Sequence, residues 1–205
     1  MKIAIVYYSL TGNVRYVVES VAPRLEADVF EIKPKKAYKA EGMGKFVKGG
    51  MQAVFSVLPQ LEPLKGFDMD AYDVIILATP VWAGRPSAPM LSFVAENSEL
   101  SGKDVGLIMC SSKGKARGCM KKLKGYIPSV AEMPGMNLVD PLTNKDTIVA
   151  KSLADYPHSF IEGYKTLTKR RYDQKHHRER KKAEKAAKRE AKLAEKDASE
   201  DAGEE

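Results

Sequence analysis

The stretch Tyr8-Ser9-Leu10-Thr11-Gly12-Asn13-Val14 sets two hydroxyls, a side-chain amide and a glycine just ahead of a run with helical periodicity, Val14, Val17, Val18, Val21 and Ala22. A helix that starts there presents unpaired backbone N–H groups and the positive end of its dipole to whatever occupies the turn, and both favour an anion. Ser9, Thr11 and Asn13 add side-chain donors spaced to wrap one phosphate. The turn contains neither G-x-x-x-x-G-K-[ST] nor G-x-G-x-x-G, which speaks against a nucleoside triphosphate loop and a dinucleotide fingerprint. The plainer reading is an N-cap in which Ser9 or Thr11 satisfies backbone donors and no ligand is held.

Two other stretches carry residue types suited to the same kind of site. Thr79-Pro80-Val81-Trp82-Ala83-Gly84-Arg85 puts a large aromatic in a turn fixed by Pro80 and Gly84, and the Trp82 indole offers a face on which a planar ring stacks. The structural alternative is a tryptophan that caps the core between helices. Cys110-Ser111-Ser112-Lys113-Gly114 follows an apolar run and leads into Lys115, Arg117, Lys121, Lys122 and Lys124 without a compensating acid. A cysteine, a polar loop and an arginine outline a phosphatase site, but Cys110 and Arg117 are one residue too far apart, so Cys110 reads as the small apolar end of a strand. Cys119, between Arg117 and Lys121-Lys122, has surroundings that lower a thiol pKa, although nothing marks it as catalytic. No acid/base pair is visible, and neither the two cysteines nor the three histidines show metal-ligand spacing or a disulfide framework.

These loops need elements that bring them together. Ile3-Ala4-Ile5-Val6-Tyr7 is short and almost continuously apolar, as expected of a central parallel strand buried on both faces. Asp28-Val29-Phe30-Glu31-Ile32 alternates and reads as an edge strand ended by Pro34. A buried third strand runs from Tyr72 to Ala78 and stops at Thr79-Pro80, Lys103 to Cys110 is a fourth, and Asn137-Leu138-Val139-Asp140 is a weak fifth. Between them the pattern predicts a glycine-loosened helix within Lys35 to Pro63, carried by Val47, Met51, Val54, Phe55 and Leu58. It also predicts a helix begun by Pro86 to Pro89, with Met90, Phe93 and Val94 inward, and a basic helix near Ala116 to Lys124. A last helix is expected over Lys145 to Leu167, with Ile148, Leu153, Phe160, Ile161 and Tyr164 inward. Strands alternating with helices imply right-handed crossovers and a five-stranded parallel sheet covered on both faces, in the order 2-1-3-4-5. The loops after strands 1, 3 and 4 should then meet at the switch point between strands 1 and 3, where such sheets bind ligands.

A first strand followed by Ser9-x-Thr11-Gly12-Asn13 resembles the FMN phosphate loop of the flavodoxin family, usually Ser/Thr-x-Thr-Gly-x-Thr, with Val14 standing where the family has a hydroxyl. The string Thr79 to Pro86 resembles the flavin loop of that family, Cys110 to Gly114 the loop that lies over the flavin, and Lys48-Gly49-Gly50 its long crossover. The resemblance implies an α/β flavodoxin-like three-layer sandwich that holds FMN non-covalently. It implies Ser9, Leu10, Thr11, Gly12, Asn13 and Val14 on the phosphate, with Thr79, Pro80, Val81, Trp82, Ala83, Gly84, Ser111, Ser112, Lys113 and Gly114 around the ring. It further implies electron transfer to a redox partner protein or a small-molecule oxidant. An FMN-dependent oxidoreductase acting on a quinone, porphyrinogen or other small molecule is one alternative, and a flavodoxin-fold binding module without flavin is another. Two-electron reduction places negative charge on a flavin, so Lys113 and Lys115 would favour the reduced form, whereas the acidic loops of carrier flavodoxins oppose it. The plainer role of these lysines is a solvated helix face.

At 205 residues the chain affords one well-buried core, expected over residues 1–167, with a charged tail at 168–205. No stretch is long and apolar enough for a membrane span, and the opening apolar run is too short for a signal peptide, so a cytoplasmic location is expected. The net charge of +7 is unusual beside the acidic carriers of the family and suggests an acidic partner. The tail is nearly free of branched apolar and aromatic residues, carries Glu184 and Lys188 at helical spacing, and lacks the heptads of a coiled coil. It reads as disordered or as a solvated, partly formed helix, or as a basic arm in weak contact with an anionic surface such as nucleic acid, a membrane face or an acidic redox partner. Without aromatics to stack on bases, sequence-specific recognition is not expected of it.

Overall fold

The computed structural model describes residues 1–36, 58–144 and 146–201. They fall into two compact units, Met1–Tyr164 and Lys165–Glu205. The first is built on parallel strands β1 (Ile3–Tyr7), β2 (Asp28–Glu31), β3 (Val74–Trp82), β5 (Asp104–Ser111) and β6 (Gly135–Val139), ordered β2-β1-β3-β5-β6. The two-residue strand β4 (Arg85–Pro86) folds back antiparallel on the end of β3. With that hairpin set aside, the order is the 2-1-3-4-5 arrangement read from the sequence. Among the described residues, the α-helices of this unit are α1 (Asn13–Leu25), α2 (Ala88–Glu96), α3 (Arg117–Lys124) and the opening turns of α4 (Thr147–Asp201).

Every residue of β1 and the first six of β3 are buried, because both faces of these central strands are covered. One face presents Ala4, Val6, Ile75, Leu77, Val105 and Leu107 to Met90 and Phe93 of α2 and to Leu123 of α3. The intervening residues point the other way, toward α1 and α4. There, Gly106 of β5 lies under Phe160 of α4: a Cβ added at Gly106 would stand 2.9 Å from Phe160 Cζ and closer still to Cε2. An Arg24 Nη1 donation to Leu153 O at 3.1 Å ties α1 to α4. The helices thus fix the strand ends from which the loops spring.

Four expectations change. The third strand does not stop at Thr79-Pro80 but continues to Trp82, and Pro86 belongs to β4 rather than to the helix that follows it. Ile148 is 73% exposed and Val149 is buried in its place, because the helix begins at Thr147 and each residue turns the face by about 100°. The helix expected to end at Leu167 continues to Asp201, since residues 168–201 contain neither glycine nor proline and are rich in strong helix formers. In the second unit the expected pair forms, Lys188 Nζ lying 2.8 Å from Glu184 Oε1. The glycine-loosened helix of the long crossover lies outside the described residues, apart from Leu58.

Candidate functional site

β1 ends where its backbone N–H and C=O groups still pair with β3, and the chain then turns through Ser9 to Gly12 into α1. Gly12, the N-cap, has φ +87° and provides no side-chain cap, so the first N–H groups of the helix are left to other acceptors. Ser9 Oγ accepts from Arg15 N at 3.2 Å, which keeps its own proton available for donation outward. The N–H groups of Asn13 and Val14 have no acceptor among the described residues. Thr11 is exposed, and Asn13 Nδ2 donates to its hydroxyl at 3.2 Å. Val14 is buried, so it offers this loop a backbone donor and no side chain. Arg15 turns away from the loop to the Tyr7 hydroxyl and the Glu31 carboxylate, which together hold its guanidinium firmly charged.

The second loop is a tight hairpin. Val81 pairs with Pro86 and Trp82 with Arg85, and the two central residues, Ala83 at φ +48° and Gly84 at φ +77°, both adopt the positive φ that such two-residue turns require. Thr79 is fully buried: its hydroxyl accepts from Ser87 N at 3.2 Å and lies 3.0 Å from Ser87 Oγ, pinning the base of the hairpin to the start of α2. Trp82 projects, partly exposed, back toward the first loop, with its ring centroid 5.9 Å from that of Tyr8 and the planes at 88°, an edge-to-face contact. The residue after β1 and the tryptophan at the end of β3 therefore touch.

The third loop, Ser112 to Lys115, is exposed beyond a buried Ser111. Asn137 of β6 holds it from both sides, accepting from Ser111 Oγ at 3.2 Å and donating to Gly114 O at 3.3 Å. A fourth segment, which sequence reasoning missed, closes the ring. Asp140, at φ +38°, donates its N–H to Ser111 O at 3.0 Å, and two residues on, Leu142 N donates to Asn13 Oδ1 at 2.9 Å. A Leu142 methyl stands 3.3 Å from where a Cβ on Gly12 would lie, so glycine there answers both to backbone conformation and to close approach. The only sequence signal for this segment was the turn-forming Asp140-Pro141 pair. All the residues expected at the site sit at the carboxyl ends of β1, β3 and β5, linked through Tyr8–Trp82 and through Ser111–Asp140 and Leu142–Asn13.

The cysteines take no part. Cys119 faces the core while Arg117, Lys121 and Lys122 are exposed, so the expected lowering of its pKa does not occur: burial pushes the thiol up to about 12. Burial does the same to Cys110, also to about 12, with the Asp140 carboxylate adding to it. Neither thiol should react with an aromatic disulfide reagent at pH 8 until the chain is unfolded. Above the ordinary value of 9.0 the unfolded chain loses thiol protons that the folded chain keeps, so the urea midpoint should fall as pH rises from 9.0 toward about 12. Among the described residues no group of histidines, cysteines and carboxylates could hold a metal ion, and no helix is long and apolar enough to cross a membrane.

The sequence profile of the family described as Flavodoxin matches residues 2–152, which spans every described strand and all four of the loop segments just described. The chain belongs to the flavodoxin family. No curated protein matches it. Solved structures share the fold at low identity. A Bacteroides eggerthii protein is 20% identical, with a TM-score of 0.62 over 78% of this chain and 98% of its own. A flavoprotein solved in complex with FMN from Lactobacillus acidophilus is 19% identical, with a TM-score of 0.55 over 70% of this chain and 97% of its own. A flavodoxin, WrbA-like protein from Agrobacterium tumefaciens is 17% identical, with a TM-score of 0.50 over 80% of this chain and 98% of its own. In this flavodoxin-family chain the loops can bind an anion at the start of α1 and flank a flat group beside Trp82.

Proposed function

We propose that this protein holds FMN non-covalently and serves as an electron carrier. The observation that carries the reading is that a helix start with free N–H groups, an indole and a cationic loop meet at the carboxyl ends of neighbouring strands. The residues fit the group. Ser9 and Thr11 keep hydroxyl protons to give to a phosphate, and Asn13 and Val14 present backbone N–H groups. Trp82 and Pro80 would flank the ring, with Ser112 and Lys113 along its other edge. When bound, the flavin supplies reversible uptake of one or two electrons. The protein supplies binding, orientation and charge. The match of the family and the FMN complex of the Lactobacillus acidophilus flavoprotein support the same cofactor.

Addition of FMN to the cofactor-free protein should produce a stoichiometric complex, read by quenching of flavin fluorescence on gel-filtered samples. A protein that takes up no FMN would overturn the reading. The holoprotein alone should not turn over reduced nicotinamide cofactor with a panel of quinones, and should do so only with a separate reductase. Turnover by the protein alone would instead favour an oxidoreductase.

Lys113 and Lys115 are exposed on the third loop, and among the described residues no carboxylate pairs with either. Reversing both to glutamate replaces attraction for the reduced cofactor by repulsion. Exposed charges of this kind are each worth up to about 1 kcal/mol, and about 1.4 kcal/mol corresponds to 30 mV for a two-electron couple. The two-electron midpoint potential should therefore fall by about 20–40 mV in low salt and recover in high salt. An unchanged potential in low salt would separate these lysines from the cofactor.

A further inference from the structure

The hairpin turn has a second side, facing α3. Between them lies an open groove of about 670 Å³, floored by Gly84 and Gly118 and rimmed by Arg85, Lys121, Lys122 and Tyr126. Its floor depends on glycine, since a Cβ on Gly118 would stand 2.5 Å from Gly84 O. Lys122 Nζ sits 5.2 Å from the centroid of the Tyr126 ring, which is 42% exposed although aromatic. Residues 105–131 contain six lysines and arginines and no acid, and among the described residues no carboxylate pairs with Arg85, Lys121 or Lys122.

From this groove we propose that an acidic segment of a redox partner protein docks between the hairpin and α3, its carboxylates meeting Arg85, Lys121 and Lys122. Arg85 comes from the hairpin and Lys121 and Lys122 from α3, so both elements that line the groove carry cations, which suits carboxylates spaced along a chain. Gly84 has open space where a Cβ would stand and so lets a main chain approach, and Tyr126 supplies an apolar flank. Uncompensated like charge on a rim raises the encounter rate with a surface of the opposite sign and rejects a basic one. Because Arg85 is the hairpin partner of Trp82, a segment seated here abuts the loop assigned to the flavin. The inference rests on the carrier reading above and adds the sign and the place of docking.

The test uses the full chain, with and without FMN, and a dye-labelled glutamate–glycine peptide, with a lysine–glycine peptide as control, followed by fluorescence anisotropy at low and high salt. The acidic peptide should bind at low salt and the basic one should not. Lys121→Glu/Lys122→Glu should weaken binding roughly tenfold or more, and Lys121→Gln/Lys122→Gln should weaken it less, with both variants keeping the parental melting curve. Lys181→Glu/Lys182→Glu, in the second unit, should change it by less than about twofold. Absence of binding, equal binding of both peptides, or an equal or larger loss in the second-unit variant would overturn the proposal. Groove-dependent binding by a protein that takes up no FMN would keep this surface and sink the carrier reading. FMN uptake without groove-dependent binding would do the reverse.

Discussion

Replacing Ser9 by alanine and Thr11 by valine in the same chain should lower the affinity for FMN by about 10²–10⁴-fold, measured by fluorescence titration. A hydroxyl that donates to a phosphate makes a charge-assisted hydrogen bond, and losing one where no water replaces it costs about 1.5–3 kcal/mol. Two such losses amount to about 3–6 kcal/mol, and each 1.4 kcal/mol is a factor of about ten. The fold should survive. Thr11 is exposed, and Ser9 forfeits only its acceptor role toward Arg15 N, worth about 1 kcal/mol as a capping bond. Thr11→Ser, which restores the hydroxyl and removes a methyl, should retain affinity within a few-fold. The N-cap reading makes the opposite forecast: a loss of stability with no change in affinity.

The same loop shows how much of the site was readable in advance. The apolar strand, the small polar turn and the helical periodicity after it are all local, so the strand, turn and helix start that frame the proposed anion site followed from the sequence. The hairpin was harder to see, for two physical reasons. A proline usually ends a central strand because it cannot donate to the ladder. Here Ala78 O accepts from Tyr8 N, so Ala78 and, by alternation, Pro80 turn their backbone polar groups toward β1, which has already ended. No ladder bond is lost at Pro80, and β3 runs on to Trp82. The turn itself uses Ala83-Gly84, where the usual signal is Asn-Gly or Asp-Gly, so its hairpin character did not show. The closing segment at Asp140 to Leu142 was invisible for another reason: its bond to Asn13 spans 129 positions, and no local pattern encodes it.

The largest stability effect should come from the far face of the sheet, and its sign should depend on a second residue. Phe160→Ala removes a fully buried ring from over β5 and should cost about 3–5 kcal/mol in urea unfolding. Gly106→Ala alone should cost about 1–3 kcal/mol, because the added methyl overlaps the Phe160 ring and either α4 or β5 must give way. In the Phe160→Ala background the same methyl enters the space the ring has left. Its nearest remaining neighbour is Ile76 Cγ1 at 3.4 Å, an ordinary van der Waals contact. Gly106→Ala should then be neutral or stabilising, which makes the two residues coupled by about 1–3 kcal/mol in a double-mutant cycle. A glycine inside a central strand would otherwise be a poor choice, costing backbone entropy and packing nothing. Its use here is to let α4 lie close against the sheet, which fixes the position of β5 and hence of the loop that leaves it at Ser111. Additive costs in the cycle would mean that the strand relaxes independently of the helix, and the third loop would then lack the rigid base on which its place at the site depends.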